Sequence, residues 1–110
     1  MRLFLFLLFS GFSLGLFAST ESDTTVSVEG KATYYHPRFH GRKCASGEVY
    51  DKNNLMAAHP SYPFGTYLRV TNLKNNKTVI VYVADRCPPR KNRLIDLSEK
   101  AAKELDFIRA

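Results

Sequence analysis

Two carboxylates, Asp85 and Asp96, stand on either side of one short loop. Asp85-Arg86-Cys87-Pro88 follows an alternating run, Lys77 to Ala84 (KTVIVYVA), and Leu94-Ile95-Asp96-Leu97-Ser98 comes next. Upstream lie a Ser46-Gly47-Glu48 turn and an Ala57-Ala58-His59-Pro60 segment. Together these supply two or three carboxyls and one imidazole, a set that does general acid/base chemistry without a metal or an organic cofactor. Each has a plainer reading. Asp85 could cap its own turn, Asp96 could cap the helix that follows, Glu48 could be solvated, and His59 could be packed against Pro60. His36 and His40 have the spacing of a metal pair, but they lie in a Pro-containing loop with no clear third ligand, so no metal is expected.

The elements that must position these groups are mostly β. Gly30 to Tyr35 reads as a strand, and His36 to Gly47 as a long loop. Leu55 to His59 is a short apolar segment stopped by Pro60. Thr66 to Leu73 and Thr78 to Val83 both alternate and are joined by Lys74-Asn75-Asn76-Lys77, which predicts a β-hairpin. Ile80 and Tyr82 make both faces of the second strand apolar, so it is expected to be buried on both sides. Ser98 is a good N-cap with Glu99 in the first turn, and Ala101, Ala102 and Leu105 form the apolar stripe of one helix. Several strands and one short helix in this space suggest a small closed barrel.

Residues 1–18 are expected to stand outside that domain. Arg2, the apolar run from Leu3, and the small residues Ala18 and Ser19 have the pattern of a secretory signal peptide. A flexible polar lead-in over 19–27 and a single domain over 28–110 follow. No cysteine lies near the junction, so no lipid anchor is expected there. The net charge of +6 would suggest nucleic acid in a cytosolic chain. With a leader it points instead to an anionic extracellular polymer or to a solubilising surface, and nucleic acid is not an expected partner. Cys44 and Cys87 both lie in the exported part, where an even count favours a disulfide over two separate thiols. Closing that loop would be worth about 4 kcal/mol in the chain-entropy picture.

Four stretches carry a resemblance: GKATYYHPRFHGRK with ASGEVYD, NNLMAAHPSYPFGT with LRVTNLKN, the Asp85-Arg86…Pro88 loop, and Arg93 followed by IDLSEKAAKELDFI. In this order they resemble the bacterial rare lipoprotein A family, from about Glu29 to Ile108. The resemblance implies a mainly β, six-stranded double-psi β-barrel, shared with barwin-like proteins and expansins, with one short helix. It implies a lytic transglycosylase, a lyase that cleaves peptidoglycan endolytically and leaves 1,6-anhydro-muramic ends. The bacterial periplasm or cell envelope is the implied location, peptidoglycan glycan strands the partner, and cofactors are not required. Division or wall-synthesis proteins as further partners are left unidentified.

By the same resemblance Asp85, Asp96, Glu48 and His59 are the catalytic candidates, with Asp85 preferred as the acid. Tyr35, Ser46 and Arg86 are the substrate-binding candidates. Tyr34, Tyr35, Tyr62 and Phe64 could form an aromatic floor for a sugar. The chain departs from the family pattern where Cys44 replaces a usual Thr and Cys87 a usual Gly. The expansin-like relatives also carry cysteines there, which supports the disulfide expectation. The chain also stops at Ala110, directly after its helix, so the barrel is expected to lack its last strand. The competing readings are a non-catalytic, expansin-like wall-binding module and a truncated, inactive remnant.

Overall fold

The structure, a computed structural model, describes residues 2–8 and 26–107. The expected cleavage point at Ala18 and the lead-in up to residue 25 lie outside the described residues. Six strands and one helix follow in chain order: β1 (Arg2–Leu8), β2 (Val26–Tyr34), β3 (Met56–Ala58), β4 (Tyr67–Asn72), β5 (Thr78–Asp85), β6 (Arg93–Leu97) and α1 (Glu99–Glu104). The strands close into a barrel in the order β1-β2-β6-β3-β5-β4. β2 runs parallel to β6 and β3 parallel to β5, while the other pairs are antiparallel. This is the small mainly β barrel with one short helix that the sequence predicts.

The predicted hairpin is β4–β5, with Thr71 opposite Thr78 and Tyr67 opposite Tyr82. Its turn is closed by Asn76 in the left-handed region (φ 60°), a conformation asparagine tolerates better than most residues. The side chains of Asn72 and Asn75 both donate to the Leu105 carbonyl, at 2.9 and 3.0 Å, so the turn also satisfies the C-terminal end of α1. At the other end the Ser98 hydroxyl accepts from Ala101 N–H, as predicted for an N-cap. It also donates to the Asn54 carbonyl (2.6 Å) and accepts from Met56 N–H (3.2 Å), tying the helix start to β3.

The core is filled by Leu68, Val70, Val79, Val81, Val83, Ile95 and Leu97, with Ala101 of α1 and its C-cap Leu105 closing one side. Strand β5 departs from expectation. Its Val79, Val81 and Val83 are buried, but Ile80 is 43% exposed and Tyr82 half-buried. In a closed barrel only one face of a strand points inward, so an apolar residue on the other face stays on the outer surface. Two boundaries also differ. Strand β2 begins at Val26, inside the expected lead-in, and Arg2–Leu8, inside the expected leader, forms β1 between β2 and β4. A short continuous apolar run suits a strand as well as a leader, and periodicity cannot separate the two. With β1 seated between β2 and β4, the described strands leave no open edge.

Candidate active site

Strand β3 is the hinge of the site. Its Ala58 has Asp85 of β5 as register partner on one side and Asp96 of β6 on the other. Register partners share a face, so the two carboxylates leave the same surface of the sheet on backbones two strand spacings, about 9.5 Å, apart.

Strict alternation would not put them there. In β5 it would place Asp85 on the face of Val81 and Val83, inside the barrel. One extra residue breaks the β3–β5 register between Ala57 and Ala58, where Ala57 pairs with Val83 and Ala58 with Asp85. Val83 and Ala84 are then both buried, and Asp85 turns outward. A second irregularity lies between β2 and β6, where Lys31 pairs with Arg93 and Ala32 with Ile95. The residue inserted there, Leu94, brings Arg93 to the same side as Asp96. Bulges re-aim side chains in this way and cluster beside functional sites.

Asp85 and Asp96 line one open cleft of about 520 Å³ with Thr33, Tyr35, Arg86 and Arg93 among its walls. Asp85 is held by three donors. Tyr35 Oη donates to Oδ2 at 2.5 Å, and the backbone N–H groups of Ala45 and Arg86 donate to Oδ1 at 2.8 and 2.9 Å. Asp96 accepts from the Thr33 hydroxyl, and its Oδ1 lies 3.7 Å from Arg93 Nη1. Burial pushes the Asp96 carboxyl up from its ordinary value, outweighing Arg93 and Arg90, and the charge of Asp85 adds to the rise. Arg86 is fixed by its Nη1 bond to the Tyr62 carbonyl (2.8 Å) and by Phe64, whose ring centre lies 4.1 Å from its guanidinium.

The other candidates are tied into their own loops. His59 is buried, and its ring stacks on Tyr62 at 3.7 Å. Its Nδ1 accepts from the N–H groups of Ser61 and Tyr62. Burial, then Arg86, lowers its pKa to about 4, so the imidazole is neutral. Its backbone N–H donates to the Asp85 carbonyl at 3.2 Å, which anchors the residue bearing the carboxylate. Ser46 Oγ accepts from Glu48 N–H at 3.3 Å and so closes its own turn. The Glu48 carboxylate lies by the Tyr82 hydroxyl and lines neither the cleft nor the smaller pocket behind it. Tyr34, Tyr35 and Phe39 border the cleft, whereas Tyr62 and Phe64 pack behind it on His59 and Arg86. His36 and His40 each accept a backbone N–H, from Arg38 and Lys52.

Cys44 and Cys87 stand here as two free, buried thiols, and the bond expected between them is not formed in this structure. Cys44 packs with Tyr50, Met56 and Ala84 and lines a pocket of about 210 Å³, whereas Cys87 lines the larger cleft. The two cavities adjoin, sharing Tyr35, Phe39 and Asp85 as walls, with Cys44 on one and Cys87 on the other. Burial, then the charges of Asp85 and Glu48, pushes Cys44 up to about 11. Burial and then Asp96 raise Cys87. Neither microenvironment favours a reactive thiolate.

The sequence reading gave no role to Thr33 or Arg93. Arg93 stands three residues before Asp96, a spacing that puts two side chains on opposite faces of a regular strand. Nothing in the sequence announces the bulge that reverses this.

Residues 27–110 match the family model described as Lytic transglycolase. The chain is 53% identical over 79 residues to the endolytic peptidoglycan transglycosylase RlpA of Neisseria meningitidis serogroup A, covering 72% of this chain and 33% of that protein. The protein of the same name from Haemophilus influenzae is 54% identical over 80 residues, 73% of this chain and 28% of that protein. That of Campylobacter jejuni is 50% identical over 82 residues, 74% of this chain and 30% of that protein. The chain spans about a third of the length of these curated relatives. A barrel of this topology, matched through all five strands from β2 to β6 and through the helix, belongs to the lytic transglycolase, or rare lipoprotein A, family.

Proposed function

We propose that this protein is an endolytic peptidoglycan lytic transglycosylase that cleaves between N-acetylmuramic acid and N-acetylglucosamine and leaves a 1,6-anhydro end. One observation carries the reading: two carboxylates in unlike environments face one open cleft. Burial sets Asp96 apart as the proton donor, while three hydrogen-bond donors hold the Asp85 carboxylate in place. Asp96, whose pKa burial raises, donates a proton to the glycosidic oxygen. The carboxylate so formed then takes the proton of the sugar's own 6-hydroxyl as that oxygen closes on the anomeric carbon. No water is consumed and no nucleophilic carboxylate is needed, unlike the two-carboxylate hydrolases. Asp85, held by three donors, supplies fixed negative charge toward the positive charge that develops on the ring. The sequence alone preferred Asp85 as the acid; these environments favour Asp96.

Arg86 and the aromatic rim of Tyr34 and Phe39 form the bed for the sugars, and Ser46, Glu48 and His59 act by holding the loops. The net charge of +6 favours an anionic wall polymer. The place of action is the bacterial cell envelope, reached by export through the apolar N-terminal segment.

The test is incubation of the protein with isolated peptidoglycan and mass spectrometry of the released fragments. Anhydro-muramic ends are expected. They should fall about 10²- to 10⁴-fold with Asp96→Asn, the range general acid catalysis supplies, while the thermal melt stays cooperative. Reducing ends would mean hydrolysis. Binding without released fragments would mean a wall-binding module.

A further inference from the structure

We propose that Tyr35 is the positioning residue of this site, the group that fixes the Asp85 carboxylate through its Oδ2, rather than a residue that binds sugar. The inference rests on the acid/base reading of the cleft and adds a residue to it. The hydroxyl donates to Asp85 Oδ2 at 2.5 Å, the side-chain member of the three donors on that carboxylate. The ring is not free to follow a substrate. It stacks on Tyr50 with centres 4.4 Å apart and planes 19° apart, and Phe39 meets it edge-on at 5.9 Å. Tyr50 is buried, and its own hydroxyl accepts from Glu99 N–H at the start of α1 (3.2 Å). The Tyr35 backbone N–H donates to the Leu97 carbonyl, next to Asp96 (2.9 Å). The phenol is therefore braced by the helix through one ring and by β6 through its backbone. It reaches Asp85 at Oδ2, the oxygen that the two backbone donors leave free.

Burial first, and the bond to Asp85 second, hold the Tyr35 phenol in its neutral form, so it remains a donor across the working pH range. Other groups face the same carboxylate: Cys44 from the loop after β2, Arg86 and Cys87 beyond β5, and Asp96 with Arg93 from β6. Within this set, Tyr35 is the neutral side-chain donor bonded to Asp85. Removing it leaves Oδ2 with no protein donor among the described residues, while the two backbone bonds to Oδ1 remain.

The test compares the full-length chain with Tyr35→Phe, which keeps the ring stack and deletes the hydroxyl. Cleavage of isolated glycan strands should slow about 10- to 100-fold in kcat, the cost of losing a hydrogen bond to a charged group, with KM changed less than about twofold. A rise in KM with kcat intact would overturn the proposal and return Tyr35 to sugar binding. An independent readout is the Asp85 carboxyl resonance, followed by NMR at one fixed pH in aspartate-labelled protein. It should shift in Tyr35→Phe, because the donor at Oδ2 is lost. An unmoved resonance would overturn the proposal even in a chain that cleaves nothing, whereas a shifted resonance in an inactive wild type would overturn only the transglycosylase reading.

Discussion

Two walls of this barrel are built by different rules. One is the closure wall, where β1 lies between β2 and β4 in two antiparallel ladders of six unbroken register pairs each. The other is the site wall, where β2, β6, β3 and β5 meet in pairings of two to four residues, with the β2–β6 and β3–β5 registers each interrupted once. The closure wall maximises regular hydrogen bonding. The site wall gives up regularity at Ala57/Ala58 and at Lys31/Ala32, and those two breaks turn Asp85 outward and bring Arg93 to Asp96. Stability and chemistry are thus carried on opposite sides of one small domain.

The largest effect should come from removing the closure wall. A chain of residues 19–110 lacks β1 and leaves one edge of both β2 and β4 without partners. Each buried unpaired backbone group costs about 1–3 kcal/mol, and a domain holding about 5–10 kcal/mol cannot absorb several. We expect a melting temperature lower than that of the full chain by 10 °C or more, and dependent on protein concentration as exposed edges pair. Melts at several concentrations decide this. An equal, concentration-independent melt would show that the barrel closes without β1, with the leader free to be cleaved at no cost.

On the site wall, the single residue between the two carboxylates is the sharpest target. Ala58 is 1% exposed, so Ala58→Leu overpacks the join of β3 with β5 and β6. It should cost about 1–3 kcal/mol in denaturant melts and displace both carboxylates, abolishing cleavage. Retained activity would mean that the register at Ala58 does not set the site.

His59 tests the frame through pH. Its folded-state pKa is lowered to about 4 from 6.5, so the neutral ring is favoured by folding. The associated stability is full above pH 6.5 and is lost as pH falls through the folded value. The loss is on the order of 3 kcal/mol by linkage. Denaturant midpoints from pH 7.5 to 4 should fall in the wild type and fall less in His59→Gln. Parallel slopes would assign the acid sensitivity elsewhere.

The smallest effect belongs to the outer face of the hairpin. Ile80→Thr should change stability by no more than about 0.5 kcal/mol, because the side chain is already on the surface. A cost above 2 kcal/mol would show that this face is covered in solution.

Local rules are legible wherever one short stretch decides the outcome. The Ser98 cap with its Ala101–Ala102–Leu105 stripe, the β4–β5 hairpin around its Asn turn, and the carboxylates flanking one loop could all be read from residue type and period. They could be read because capping, alternation and turn chemistry act over a few neighbouring residues. The features that needed the tertiary structure are those where distant segments compete. Cysteine count could not tell that Cys44 and Cys87 line separate cavities. The apolar run at Arg2–Leu8 fits both a leader and a strand, and its pairing with β2 and β4 is a tertiary fact that its residues do not announce. Alternation placed Arg93 and Asp96 on opposite faces, and the inserted Leu94 reversed that. A bulge is set by how two strands meet across the barrel, and the residue inserted carries no mark of it in the sequence. The chemical inventory of this site was therefore determined by the sequence, and its aim by the packing of β3 between β5 and β6.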